Sequence, residues 1–116
     1  MYLTFYYDFG EFRAIEFEAD YDDAKEYIMR TRSLDDIIED YINTLYDKES
    51  EENKETLKTY DGFDGTKESM LSMEEDTKKE LVDEVIFDLI NKTPIYYNEL
   101  YDYFEQEAYD EYVDSL

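Results

Sequence analysis

The chain has no cysteine, no histidine and no tryptophan, and only one proline and three glycines in 116 residues. Without cysteine no disulfide can form. Without cysteine or histidine the usual zinc centres, Cys-His nucleophiles and Ser-His-Asp triads are excluded. Di-iron bundles of the Glu-x-x-His kind fall with them. No apolar run reaches the roughly 20 residues that a membrane helix needs. The opening Met1-Tyr2-Leu3-Thr4 has no signal-peptide character, and a soluble intracellular protein is expected. Positive charge is scarce as well: 11 Lys and Arg stand against 34 Asp and Glu, a formal net charge of -23. Self-repulsion on that scale works against a compact state, so it is not incidental. Nucleic acid and anionic membranes would repel such a chain, and basic protein surfaces are its natural partners.

What is present is aromatic. The hydrophobic fraction is 42%, with 14 Tyr and 7 Phe, enough for a modest core at this length. Tyrosine buries its ring and leaves its hydroxyl wet, which suits the rim of a small core. One domain over residues 1–116 is expected, of the α+β class: an N-terminal antiparallel β-hairpin packed with about four helices.

Tyr2 to Ala19 reads as the hairpin. Leu3, Phe5 and Tyr7 alternate with Tyr2, Thr4 and Tyr6, and Ile15, Phe17 and Ala19 alternate with Glu16 and Glu18. Gly10 supplies the positive φ of a turn. A loop of Phe9, Gly10 and Glu11 would pair Phe5 with Ile15 and Leu3 with Phe17. Asp20 then caps a short helix carrying Tyr21, Ala24, Tyr27 and Ile28, the one stretch of near-zero charge. Ser33 caps a second helix, with Leu34, Ile37, Ile38, Tyr41, Ile42 and Leu45 on its apolar stripe. Asp36, Glu39, Asp40, Asn43 and Asp47 lie on its other side.

Lys48 to Lys58 is polar, either a frayed helix end or a loop. Tyr60 to Gly65 is a turn holding two of the glycines, and Thr56 to Tyr60 is a candidate third strand, added to the hairpin or paired with Lys67 to Leu71. Ser72 with Glu75 has the spacing of a capping box and opens a helix through Asn91, faced by Leu81, Val82, Val85, Ile86, Leu89 and Ile90. Thr93 and Pro94 start the last helix. Its core face is read as Tyr97, Leu100, Tyr101, Phe104, Ala108 and Tyr112. The opposite face carries Glu99, Asp102, Tyr103, Gln106, Tyr109 and Asp110, and no lysine or arginine follows Thr93.

Little catalytic chemistry fits these residues. An EF-hand loop needs acids at positions one, three and five and Gly at six. Counting back from Gly65 puts Tyr60 first, and from Gly62 it puts Leu57 first, so neither glycine closes such a loop. A looser divalent-cation module around Asp61, Asp64 and Glu68 stays open as an alternative. A glycosidase pair needs a substrate cleft for which so small a domain has little room. Asp8-Phe9-Gly10 sits in a hairpin with no other kinase signature. No catalytic residue, resident metal or cofactor is expected, and the protein is read as a non-enzyme.

The spacing of charge carries the remaining signal. Acids three and four residues apart on a helix recur about every 5 Å, at 1.5 Å per residue. Phosphates on one DNA strand advance about 3.4 Å each. Asp36, Glu39, Asp40 and Asp47, with Glu99, Asp102 and Asp110, therefore present negative charge at a comparable density. Tyr103 and Tyr109 add flat contact area of the kind favoured at interfaces. For any one of these acids the plain alternative is a solvated helix face.

In size, charge, and rows such as Asp35-Asp36-Ile37-Ile38-Glu39-Asp40 and Glu105-Gln106-Glu107-Ala108-Tyr109-Asp110-Glu111, the chain resembles the small acidic DNA-mimic inhibitors of phages and mobile elements, of anti-restriction and anti-CRISPR type. Members of that class differ in fold, so no residue role carries over. The resemblance implies a mechanism: occupy the basic groove of a nucleic-acid-binding nuclease or defence complex, in the host cytoplasm, and exclude its substrate. The rival expectation is a generic acidic accessory protein whose partner does not bind nucleic acid.

Overall fold

The hairpin forms from β1 (Tyr2–Asp8) and β2 (Ala14–Asp20) in the computed structural model, which describes residues 1–10 and 14–116. Its register pairs Phe5 with Phe17, Leu3 with Ala19 and Tyr7 with Ile15. The pairing expected from a three-residue loop is therefore corrected by two residues on β2. A shift of two keeps every side chain on its face, so the alternation survives. Two contacts favour the observed register. Phe5 and Phe17 both reach Phe104, each at 5.8 Å between ring centroids. Asp8 ends its strand by accepting the Gly10 N–H at 2.9 Å, with Gly10 at φ 91. Glu11, the third residue of the expected loop, lies outside the described residues.

Asp20 and Ser33 cap α1 (Tyr21–Thr31) and α2 (Leu34–Thr44) as their types dictate. Their side chains accept from the Asp22 N–H at 2.8 Å and the Asp36 N–H at 3.1 Å. Ile37, Ile38, Tyr41 and Ile42 bury one face of α2, and Leu45 and Tyr46 continue it into a 3-10 turn, Tyr46–Lys48.

Beyond this turn the structure departs from the sequence reading. Ser50 caps α3 (Glu51–Leu57) and Thr66 caps α4 (Lys67–Leu71), so the candidate third strand is helix and turn, and the sheet among the described residues has two strands. Local capping decides this, because each hydroxyl satisfies an N–H that a helix start would leave unpaired. Leu57, Phe63, Met70 and Met73 are buried beneath this end. Ser72 ends α4, its hydroxyl donating to the Glu68 carbonyl at 3.1 Å, and does not open the next helix. Glu74 holds the N-cap of α5 (Glu75–Lys92) without a side-chain bond, so the Ser72–Glu75 capping box is not formed. The expected apolar face of α5 is buried throughout.

Pro94 takes the first position of α6 (Pro94–Asp114). Thr93, expected to cap α6, turns its buried hydroxyl back to the Leu89 carbonyl at the end of α5. The buried stripe of α6 is Tyr96, Leu100, Phe104 and Ala108, rotated from the expected one. Tyr97 is 38% exposed at the edge of Phe5, and Tyr101 and Tyr112 are half-buried. The fold is α+β. Helix α5 packs against α2 and α6, and α6 carries the inward face of the hairpin. The molecule measures 55 × 25 × 21 Å with a radius of gyration of 17.0 Å, against about 13 Å for a compact domain of this length. No described helix is long and apolar enough to cross a membrane.

Candidate partner-binding surface

Four of the scarce cations join one element to another. Lys25 of α1 meets Asp83 of α5 at 2.5 Å, and Lys78 of α5 meets Asp35 of α2 at 2.6 Å. Arg32, after α1, meets Glu99 of α6 at 2.6 Å, and Lys67 of α4 meets Asp47 at 3.0 Å. The acids outside such pairs define the free negative surface.

This sorts the sequence-derived residues. Asp36 and Glu39 are exposed on α2, and no ion pair among the described residues reaches them. Asp40 is half-buried and accepts the Tyr96 hydroxyl at 2.6 Å, so it points into the α2–α6 joint and not along an outward row. Burial, with Asp40 beside it, pushes the Tyr96 phenol well above its ordinary value. Asp47 lies past the end of α2 in the 3-10 turn and is held by Lys67. The expected four-acid row on α2 is therefore reduced to Asp36 and Glu39. The reason is that tertiary partners claim the other two.

On α6 more of the expected set faces outward. Glu99 is the exception, bound to Arg32, whose guanidinium also lies 4.4 Å from the Tyr96 ring. Asp102 is exposed and, with Glu99, Tyr103, Tyr27, Thr31 and Arg32, lines an open groove of about 550 Å³. Tyr103 stacks on Tyr27 at 4.1 Å, which holds its ring flat on the groove wall. A second groove of about 430 Å³ runs on along the same helix, lined by Asp102, Glu105, Gln106, Tyr109 and Phe9. The Tyr109 ring stands edge-on to Phe9 at 5.3 Å. Asp110 accepts from the Gln106 amide at 3.0 Å and stays exposed. Asp102, Tyr103 and Tyr109 thus share one helix and two adjoining grooves, with Asp110 exposed one residue beyond, while Asp36 and Glu39 line neither.

Glu105 belongs to this surface as well; the sequence places it in the acidic row Glu105 to Glu111, though not among the expected contact residues. The acids near the end of α6 oppose the helix dipole. Asp110, Glu111 and Asp114 lie at its C-terminal end, where no base offsets them. Each such charge costs about 0.3–1 kcal/mol at an exposed site.

Among the described residues no three Asp or Glu side chains converge closely enough to hold a metal ion. Asp64 accepts both the N–H and the hydroxyl of Thr66, at 2.9 and 2.6 Å, and these bonds hold its carboxyl below the usual range. Its carboxylate serves the turn before α4. No protein-family model, curated protein or solved structure matches the chain.

Proposed function

We propose that this protein is a non-enzymatic inhibitor that competes with nucleic acid for the basic groove of a nucleic-acid-binding defence protein, of anti-restriction or anti-CRISPR type. The observation that carries the proposal is the outward face of α6. Asp102, Glu105 and Asp110 stand there exposed among tyrosines, and no lysine or arginine lies on the helix. A fold under selection for stability alone would place bases at that helix end, so the acids point to a use outside the fold. The molecule is a narrow rod 55 Å long, the length of about 16 steps of a duplex at 3.4 Å each. Asp36 and Glu39 on α2 extend the negative surface.

The test is competition. A candidate partner's nucleic-acid binding is measured with and without this protein over a salt series. Steered electrostatic binding should weaken steeply with salt, since exposed charges are screened within about 10 Å at 0.1 M. Asp102→Asn with Asp110→Asn should weaken inhibition. Asp23→Asn with Glu26→Gln, in the near-neutral α1, should do much less. A partner that binds this protein and its nucleic acid at once would overturn the proposal. It would favour the second reading, an acidic accessory protein, for which the internal pairing of Asp40, Asp47 and Glu99 already argues by shrinking the mimic surface.

A further inference from the structure

The hairpin has a face that the fold does not use. Its inward side chains enter the core, while Tyr2, Thr4 and Tyr6 on β1 point outward, opposite Asp20, Glu18 and Glu16 on β2. Tyr2 and Tyr6 are 62% and 61% exposed, whereas Tyr7 between the strands and α6 is 1% exposed. Four residues apart on one strand, the two rings stand about 13 Å from each other at 3.3 Å per residue. No ion pair among the described residues reaches Glu16 or Glu18. Neither strand contains a lysine or arginine.

Glu16 stands in register beside the Tyr6 ring, and Glu18, opposite Thr4, lies diagonal to both rings; an exposed ring with a carboxylate so near matches one side chain above others. A guanidinium lies flat on an aromatic face, and its N–H fork takes a carboxylate through two parallel bonds. An ammonium has no plane to stack and no fork to match. We propose that the outward face of the hairpin is a docking surface for an arginine-bearing segment of a partner protein. Tyr2 and Tyr6 carry the guanidinium planes, and Glu16 and Glu18 close on their N–H groups. This goes beyond the acidic face of α6, because it lies on the side of the hairpin turned away from that helix. It also separates arginine from lysine, which a row of carboxylates alone does not.

The full chain is titrated calorimetrically with oligoarginine and oligolysine peptides of equal length. The parent should bind oligoarginine more tightly. Tyr2→Leu with Tyr6→Leu should lose about five- to tenfold in arginine affinity and clearly less in lysine affinity, so that the preference disappears. Tyr2→Phe with Tyr6→Phe keeps the rings and should keep the preference. Asp102→Asn with Asp110→Asn should weaken both peptides by the same factor, so a failed nucleic-acid competition leaves this result standing. Amide shifts on arginine binding should centre on Tyr2, Tyr6, Glu16 and Glu18. An arginine preference that survives the double leucine variant, or a parent with no preference, overturns the proposal. So does a parent dimer that the leucine variant dissolves, since a second copy would then be the occupant.

Discussion

Phe5 and Tyr96 show how single residues hold this molecule together. Phe5 is fully buried and touches Tyr97 and Phe104 of α6, so it joins the hairpin to the last helix. Phe5→Ala should destabilise the fold by about 3–5 kcal/mol, and Phe17→Ala by somewhat less, because Phe17 is less deeply enclosed. Chemical denaturation of each variant measures this. Tyr96 joins α6 to α2 through its hydroxyl on Asp40. Tyr96→Phe keeps the ring and leaves the half-buried Asp40 without that donor. The expected cost is about 1–3 kcal/mol. Asp40→Asn keeps an acceptor for the phenol and should cost less. Equal losses in the two variants would mean that the bond owes its strength to the charge of Asp40.

At the scale of the element, the role proposed for α6 runs against its own stability. Its C-terminal end holds Asp110, Glu111 and Asp114, against the local dipole. Glu111→Lys with Asp114→Lys should raise the unfolding free energy by about 0.3–1 kcal/mol for each site, read from chemical denaturation. The same variant should weaken inhibition in the competition assay. Opposite signs in the two measurements are what a functional acidic face requires. A gain in stability with unchanged inhibition would confine the interface to the half of α6 around Asp102. The short α1 provides the contrast, with a capped start, acids in its first turn and Arg30 in its last, an arrangement its own dipole favours.

Across the whole molecule, the charge of -23 dominates the response to conditions. Moderate salt should raise the melting temperature, because screening relieves repulsion among many acids while weakening only a few surface ion pairs. A melting temperature that fell with salt would make those ion pairs the larger contribution. The alkaline limit rests on tyrosine. Burial, reinforced by neighbouring acids, raises the phenols of Tyr7, Tyr21, Tyr41, Tyr60 and Tyr96 above the ordinary 10.0. Tyr21 is pushed up to about 12. Below pH 10.0 folded and unfolded chains both keep these protons, and the contribution is intact. Above it the unfolded chain ionises first, so stability should fall through the window up to about 12 for Tyr21. Tyrosinate absorbance followed together with circular dichroism checks this: the buried phenols should ionise only as the fold is lost.

Local pattern was enough for much of this molecule. Alternation places Leu3, Phe5, Tyr7, Phe17 and Ala19 inside, and a period near four places the buried faces of α2 and α5. These readings hold because they depend on neighbours a few residues away, and composition alone carries the net charge. The helices α3 and α4 also had local signals, in Ser50 and Thr66, which a polar, glycine-bearing stretch masked. Other features had no local signal. The hairpin register was set by where Phe5 and Phe17 meet Phe104, and the buried face of α6 turned to Tyr96 because that residue meets α2. Which acids remain free was decided in the same way. Asp40 is claimed by a phenol 56 residues away and Asp47 by a lysine 20 residues away. Glu99 is claimed by Arg32. A carboxylate looks the same in a sequence whether it faces water or a distant donor, and only the packing of α2, α4 and α6 separates the two.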